Sequence, residues 1–324
     1  MKYQALILIS IIAISSFFIK VDAGKKQDSA EFVKIEITEN SSKNQSLKSA
    51  SVFSSESFAN VSNPISESAD IKCSIDSVQA ALMKYLNQRG NIFEFNDKNR
   101  WPIASVSKLM SAVIAIEEIK KGENIKISAS AVTAEGLSGG LKENDVFSVN
   151  DLIKAMLVVS SNDAAESLAE SIGRQRFIDL MNEKAGELQM SETNFNSPSG
   201  FSILNQSTAN DFMKLVNYIY SNHPEIFQIT SQKQMQITEL NSGKSKNLLN
   251  INEFAGNADF LGGKTGYLDE SGRNLVALFR RNNQPLLVII FGAQNAFDEA
   301  RNLLNCIDNN FQIVDSDNQI TETN

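Results

Sequence analysis

Strand-like segments stand at both ends of the patterned part of this chain and helical ones fill its middle, so any sheet must join residues far apart in sequence. Ala80 to Leu86 and Ile92 to Phe95 flank Asn87-Gln88-Arg89-Gly90-Asn91 and read as a hairpin. Late in the chain, Leu261 to Tyr267, Asn274 to Arg280 and Leu286 to Phe291 are strand-like, joined by turns at Asp269-Glu270-Ser271-Gly272 and Asn282-Asn283-Gln284. After Pro102, the residues Val106, Leu109, Met110, Val113, Ile114 and Ile119 keep helical spacing until Lys120-Lys121-Gly122 closes the run. Asn150 or Ser148 caps a helix over 151–159, a third helix spans 163–172 before Gly173, Asn210-Asp211 caps one reaching Tyr220, and a last runs from about Ala296 to Phe311. The expected class is α+β: an antiparallel sheet of about five strands, covered by helices and closed by pairing of its terminal strands.

Only part of the chain has the means to pack. Residues 24–70 are rich in Ser, Asn, Lys and Glu, as in Ser41-Ser42-Lys43-Asn44-Gln45-Ser46. They bury too little surface to offset the entropy of ordering, and are expected to be a disordered linker. Before them, residues 1–23 combine Lys2, an apolar run from Ala5 to Ile19 and the small-residue ending Val21-Asp22-Ala23. That run is short for a membrane span and reads as a signal peptide or a retained N-terminal anchor, which places the body outside the cytoplasm, secreted, periplasmic or tethered. One folded domain over 71–313 and a flexible tail over 314–324 complete the expected organisation.

The charge of -8 is carried by interspersed acidic and basic residues, so no nucleic-acid surface is expected. Cys73 and Cys306, at the two ends of the domain, form either one disulfide or two buried free thiols. No Cys/His cluster offers a metal site, and no cofactor is implied.

Three strings carry the chemistry: Ser105-Val106-Ser107-Lys108, Ser160-Ser161-Asn162 and Lys264-Thr265-Gly266. The single histidine, His223, precedes Pro224 in a polar stretch, so a Ser-His-Asp triad has no source for its base. If Ser105 is the nucleophile, an amine three residues on is the natural proton acceptor. Ser105 is expected in the first turn of its helix near unpaired amides, with Lys108 on the same face, and partial burial would lower the lysine pKa. The middle string falls in a loop between helices. The last lies on an inner strand, where Gly266 removes a side chain that would block substrate. Ser-x-Asn recurs at 42–44, 245–247 and 316–318, whereas Ser-x-x-Lys and Lys-Thr-Gly occur once each.

With these motifs in this order, the chain resembles the low-molecular-weight penicillin-binding proteins, specifically the serine D-alanyl-D-alanine carboxypeptidases. The resemblance covers about 77–310 and includes Pro102-Ile103-Ala104, Gly139-Gly140-Leu141-Lys142, Asn162-Asp163-Ala164-Ala165, Asn196-Ser197-Pro198-Ser199-Gly200, and Tyr267 leading to Asp269-Glu270-Ser271-Gly272-Arg273. Ser161 departs from the Gly or Asp common there, and the β-rich domain and amphipathic anchor that many relatives append are not expected after Phe311.

The resemblance implies a β-lactamase/transpeptidase-like fold with a helical subdomain beside its sheet. It implies that Ser105 attacks the carbonyl between the terminal D-alanines of a peptidoglycan stem peptide while Lys108 takes its proton. Ser160 relays a proton to the leaving amine, Asn162 orients Lys108 or substrate, Lys264 and Thr265 hold the terminal carboxylate, the Ser105 and Tyr267 amides hold the oxyanion, and Gly266 and Tyr267 join the substrate-binding residues. β-Lactams are implied as acylating inhibitors. The alternatives are a D,D-endopeptidase cutting cross-links with the same residues, a β-lactamase, in which Glu192 and Asn196 stand in for a deacylating pair, and a silent peptidoglycan-binding or β-lactam-sensing module. Arg273 reads as an exposed strand arginine before a carboxylate partner, and Trp101 as packing before groove lining.

Overall fold

The computed structural model describes residues 73–136 and 138–318. The leader or anchor expected over 1–23 and the linker over 24–70 lie outside the described residues. In chain order the elements begin with strands β1 (Ala80–Tyr85), β2 (Phe93–Phe95) and β3 (Trp101–Pro102), a 3-10 turn over Ala104–Ser107, and helix α1 (Lys108–Glu118). Next come β4 (Asn124–Lys126), α2 (Ala129–Val132), β5 (Val146–Ser148), α3 (Val149–Val158), α4 (Asn162–Ser171) and α5 (Arg174–Glu187). They are followed by β6 (Gln206–Ser207), α6 (Ala209–Asn222), α7 (Pro224–Ser231), β7 (Gln234–Thr238) and β8 (Ser245–Leu249). The chain ends in β9 (Phe260–Leu268), β10 (Gly272–Arg281), β11 (Gln284–Ala293) and α8 (Ala296–Asn318).

Five strands form the main sheet in the order β2-β1-β11-β10-β9. Its closure is the expected one, since β1 pairs antiparallel with β11, Ala80 opposite Phe291 and Tyr85 opposite Leu286. Alternation along each strand divides its side chains between two cores. Leu275, Ala277, Phe279, Val288 and Ile290 pack with Leu303, Leu304 and Ile307 of α8 on one face. Val276, Leu278, Leu287, Ile289 and Phe291 face Leu109, Val113, Phe212 and the other helices on the opposite face. Covered on both sides, β10 and β11 read as continuous apolar runs.

Cys73 and Cys306 form a disulfide, with Cα atoms 5.7 Å apart, so the start of the described chain is fastened to α8. It closes a sequence separation of 233 residues, which by loop entropy restricts the unfolded chain strongly.

The structure corrects several expectations. The cap of α6 is Thr208, whose hydroxyl accepts from the Asp211 amide, and not Asn210-Asp211. Asp211 instead sits in the first turn and holds the Glu192 amide and the Thr193 hydroxyl. Helix α8 continues to Asn318, past the end expected near Phe311 and into the segment read as a tail, while residues 319–324 lie outside the described ones. Lys264-Thr265-Gly266 lies on β9, an edge strand and not an inner one. A strand that serves a cleft with its backbone must leave one edge unpaired.

Candidate active site

The chain crosses itself tightly where Ser105 stands. Ala104 holds φ +50°, and the 3-10 turn Ala104–Ser107 feeds directly into α1, so Ser105 lies one turn before the α-helix proper and Lys108 begins it. Two glycines make this crossing possible. A Cβ on Gly200 would stand 2.1 Å from the Ala104 carbonyl oxygen, and one on Gly266 would stand 2.8 Å from that of Ile103 and 3.0 Å from the Ser105 nitrogen. The sequence placed Gly266 as a residue that clears space for substrate. In the structure it clears space for the nucleophile's own backbone.

Lys108 is fully buried and its amine reaches three acceptors. Nζ lies 2.9 Å from Ser105 Oγ and 2.7 Å from Asn162 Oδ1, and it also donates to the Ser199 carbonyl. Burial first, and the Lys264 ammonium second, push the Lys108 pKa well below its usual value, against the opposing pull of Glu166 and Asp163. A buried amine that loses its proton easily, bonded to a serine hydroxyl, is a competent base.

The second string is held in place by its own side chains. Ser160 adopts φ +58° and is buried, its Oγ accepting from Lys264 Nζ at 2.9 Å. Ser161, the departure from the family pattern, caps α4 by accepting from the Ala164 amide at 3.0 Å and donates to Asp163. Asp163 also gathers the Ser138 hydroxyl and the Gly139 and Leu141 amides, 2.8, 2.8 and 3.2 Å away. Burial alone would raise its pKa, yet these hydrogen bonds outweigh it and hold the carboxylate below its usual value. Asn162 Nδ2 donates to the Glu135 carbonyl.

Lys264 is likewise buried, bonded to Ser160 and to the Thr265 carbonyl, and burial lowers its pKa to about 7. This has a measurable consequence for stability. Between pH 7 and the usual lysine value the unfolded chain carries a proton that the folded one has released, so this residue's contribution to stability rises with pH across that window. Denaturant melts from pH 6 to 10 should show that rise in the wild type and a flatter profile in Lys264→Met. Equal slopes would contradict the burial of a neutral amine.

Backbone alternation on β9 aims its free groups at the cleft. The Gly263 amide bonds Thr230 Oγ1 instead of β10, and the Thr265 carbonyl accepts from Lys264 Nζ. By the two-residue period, the Thr265 and Tyr267 amides face away from β10 as well. The Ser105 amide lies against Gly266, the residue just before Tyr267 on this strand.

A cleft of about 490 Å³ runs along this edge, lined by Ser105, Ser160, Asn162, Thr265, Gly266 and Tyr267. Six of the eight expected site residues thus line it; Lys264 lies behind Ser160 and Lys108 behind Ser105, each bonded to that serine. Arg273, read as an exposed strand residue, also lines it, its guanidinium 5.2 Å from the Tyr267 ring centre. Trp101 is half-buried, its indole N–H donating to the Ser271 carbonyl at 2.8 Å, which ties β3 to the β9–β10 turn. Glu192 and Asn196 do not line the cleft. His223 pairs with Glu117 at 2.8 Å and is also outside it. Among the described residues no three His, Cys, Asp or Glu converge as metal ligands.

Sequence reasoning missed several contributors. Ser199 serves through its backbone carbonyl, which no side-chain motif announces. Asn205 joins the nucleophile's turn to the loop before it, donating to Ser107 Oγ and the Ser197 carbonyl. Asn274 donates to the Pro102 carbonyl and accepts from the Gly292 amide. Phe201, Ile251 and Phe297 supply apolar walls. Asn274 stands at the head of the apolar run 275–279, which was the available signal for it, whereas Asn205 lies in the polar stretch 205–208, which offered none.

Comparison with known proteins gives a consistent picture. The sequence model for D-alanyl-D-alanine carboxypeptidases matches residues 65–295. The chain is 38% identical over 183 residues to a D-alanyl-D-alanine endopeptidase of Haemophilus influenzae, covering 54% of this chain and 61% of that relative. It is 30% identical over 233 residues to a D-alanyl-D-alanine endopeptidase of Escherichia coli, covering 69% and 75%. Penicillin-binding protein D2 from Listeria monocytogenes, solved in its ampicillin-bound form, is similar with a TM-score of 0.63 at 29% identity, over 71% of this chain and 97% of that one. The match therefore spans less than two thirds of the Haemophilus relative's length and three quarters of the Escherichia one's.

Proposed function

The chain belongs to the D-alanyl-D-alanine carboxypeptidase family, and on that premise we propose that it is a serine D,D-peptidase that removes the terminal D-alanine of peptidoglycan stem peptides. One observation carries the reading: the wholly buried Lys108 amine, its proton destabilised by burial, 2.9 Å from the Ser105 hydroxyl.

Ser105 Oγ attacks the carbonyl carbon of the D-alanyl-D-alanine bond and passes its proton to Lys108 Nζ. The negative charge that develops on the carbonyl oxygen is held by the Ser105 and Tyr267 amides. Such donors act only once charge appears, and losing one typically costs about a hundredfold. The Ser160 hydroxyl, bonded to Lys264, relays the proton from Lys108 to the leaving amine, taking up one proton as it gives up another, so Lys108 is neutral again as D-alanine departs with its carboxylate held by Thr265 and Lys264. Water then adds to the Ser105 ester as the neutral Lys108 amine takes one of its protons, and Lys108 returns that proton to Ser105 Oγ as the ester bond breaks and the shortened peptide leaves. Asn162 keeps the Lys108 amine aimed at Ser105. No step calls on a cofactor.

The same residues serve a cut at a cross-link, where the leaving amine belongs to a second stem peptide. The endopeptidase names of two similar proteins favour this second reading. Because peptidoglycan lies outside the cytoplasmic membrane, the enzyme is proposed to act there, exported or held through residues 1–23. β-Lactams are proposed to acylate Ser105 as stem peptides do.

Purified protein incubated with stem pentapeptides and with cross-linked dimers separates the readings by chromatography. Free D-alanine from pentapeptide is the expected product. Monomers from dimers without free D-alanine establish the endopeptidase, and no cleavage of either contradicts both.

A further inference from the structure

We infer that Thr230 is a positioning residue for this reaction, fixing the phase in which β9 presents Lys264-Thr265-Gly266 to the cleft. The inference rests on the serine-peptidase reading above. As an edge strand, β9 has no neighbour on its outer side to set its register. Its pairing with β10 also slips by one residue: Gly262 opposes Leu278, whereas Phe260 opposes Phe279, leaving Leu261 as a bulge. Every residue after the bulge owes its face to that slip. Shifted back by one, Lys264 would turn from Ser160 toward the α8 side, and the amides of Thr265 and Tyr267 would turn from the cleft toward β10.

Thr230 occupies the place where this choice is made. It is buried at the end of α7. Its Oγ1 accepts from the Gly263 amide at 2.9 Å, as a strand partner would, and donates to the Phe227 carbonyl at 3.2 Å. Gly262 holds φ +140°, and a Cβ there would meet the Phe227 oxygen at 2.6 Å and Thr230 Oγ1 at 2.7 Å, so helix and strand touch backbone to backbone. The Thr230 carbonyl accepts from Asn250 Nδ2 at 2.9 Å. The next residue, Ile251, lines the cleft and bonds the Val158 carbonyl, two residues before Ser160. One buried threonine thus links the strand that carries Lys264 to the loop that carries its partner.

Three variants test this: Thr230→Val, which keeps shape and loses the hydroxyl; Thr230→Ser, which keeps it; and Phe177→Leu, a core change in α5 away from the cleft. The readouts are kcat and KM on a peptide ending in D-alanyl-D-alanine, the acylation rate with benzylpenicillin, and Tm. Thr230→Val is expected to lower kcat and acylation about tenfold or more and to raise KM as well, because the groups misplaced include the Tyr267 amide, which acts in the transition state, and Lys264 and Thr265, which hold the substrate carboxylate. Thr230→Ser restores both, and Phe177→Leu lowers Tm with kcat intact. A Thr230→Val protein that loses Tm as Phe177→Leu does yet keeps its kcat overturns the inference. Should Thr230→Val fail to fold, Thr230→Ala is judged by the same criterion. A wild type that neither turns over nor acylates overturns the function reading instead. Thr230 is then judged by amide exchange over 262–267, which must rise in Thr230→Val and not in Phe177→Leu.

Discussion

Lys108→Met is expected to slow acylation of Ser105 about a thousandfold, within the range general-base catalysis usually supplies. The side chain retains similar length and lies in the same buried channel, so the loss is chemical. What disappears is the amine that takes the hydroxyl proton, along with its bonds to Asn162 and Ser199. Lys108→Arg separates charge from basicity. A guanidinium keeps donors and positive charge but does not give up its proton in a protein, so it should not rescue the rate. In the wild type the base must be unprotonated, so acylation falls as pH drops through the lowered Lys108 pKa. That acid limb should be absent from whatever residual rate Lys108→Met retains. Stopped-flow acylation with a chromogenic β-lactam across pH reads both effects, and a rate within about tenfold of wild type in Lys108→Met would remove Lys108 from the mechanism.

The second large effect is structural in origin and catalytic in readout. Gly200→Ala is expected to cost about 3 kcal/mol of stability and about a hundredfold in acylation. Its Cβ meets the Ala104 carbonyl oxygen at 2.1 Å, a backbone atom with no rotamer by which to escape, and Gly200 itself holds φ +78°. Overpacking and the left-handed conformation each contribute about 1–3 kcal/mol. The strain falls on the peptide joining Ala104 to Ser105, and displacing a nucleophile by about 1 Å commonly costs about a hundredfold. Denaturant melts paired with acylation rates test the prediction; a variant equal to wild type in both would mean that the crossing is looser than it stands.

Periodicity made the fold legible because this sheet obeys the simplest rule: β10 and β11 are covered on both faces and carry unbroken apolar runs. The pairing of β1 with β11 followed from strands at both ends of the pattern. Topology beyond that did not follow. The edge position of β9 depends on which strand lies outermost, and its short polar composition around Lys264-Thr265-Gly266 fits an inner strand serving a site as well as an edge. Ser105, Lys108, Ser160, Asn162 and Lys264 were legible because their chemistry resides in side chains at fixed spacing. Ser199, Gly200 and Thr230 were not, since they act through a carbonyl, a missing Cβ and a hydroxyl that replaces a strand partner. Arg273 is the exposed strand arginine the sequence suggested, and only the fold shows that its strand end also opens onto the cleft.

The most direct test of the central claim is intact-protein mass spectrometry over time with benzylpenicillin, on the wild-type chain and on Ser105→Ala. A persistent adduct equal in mass to one benzylpenicillin, mapped to Ser105 and absent from the variant, is the predicted result. An adduct that survives in Ser105→Ala, or none in the folded wild type, would contradict the assignment of Ser105 as the nucleophile.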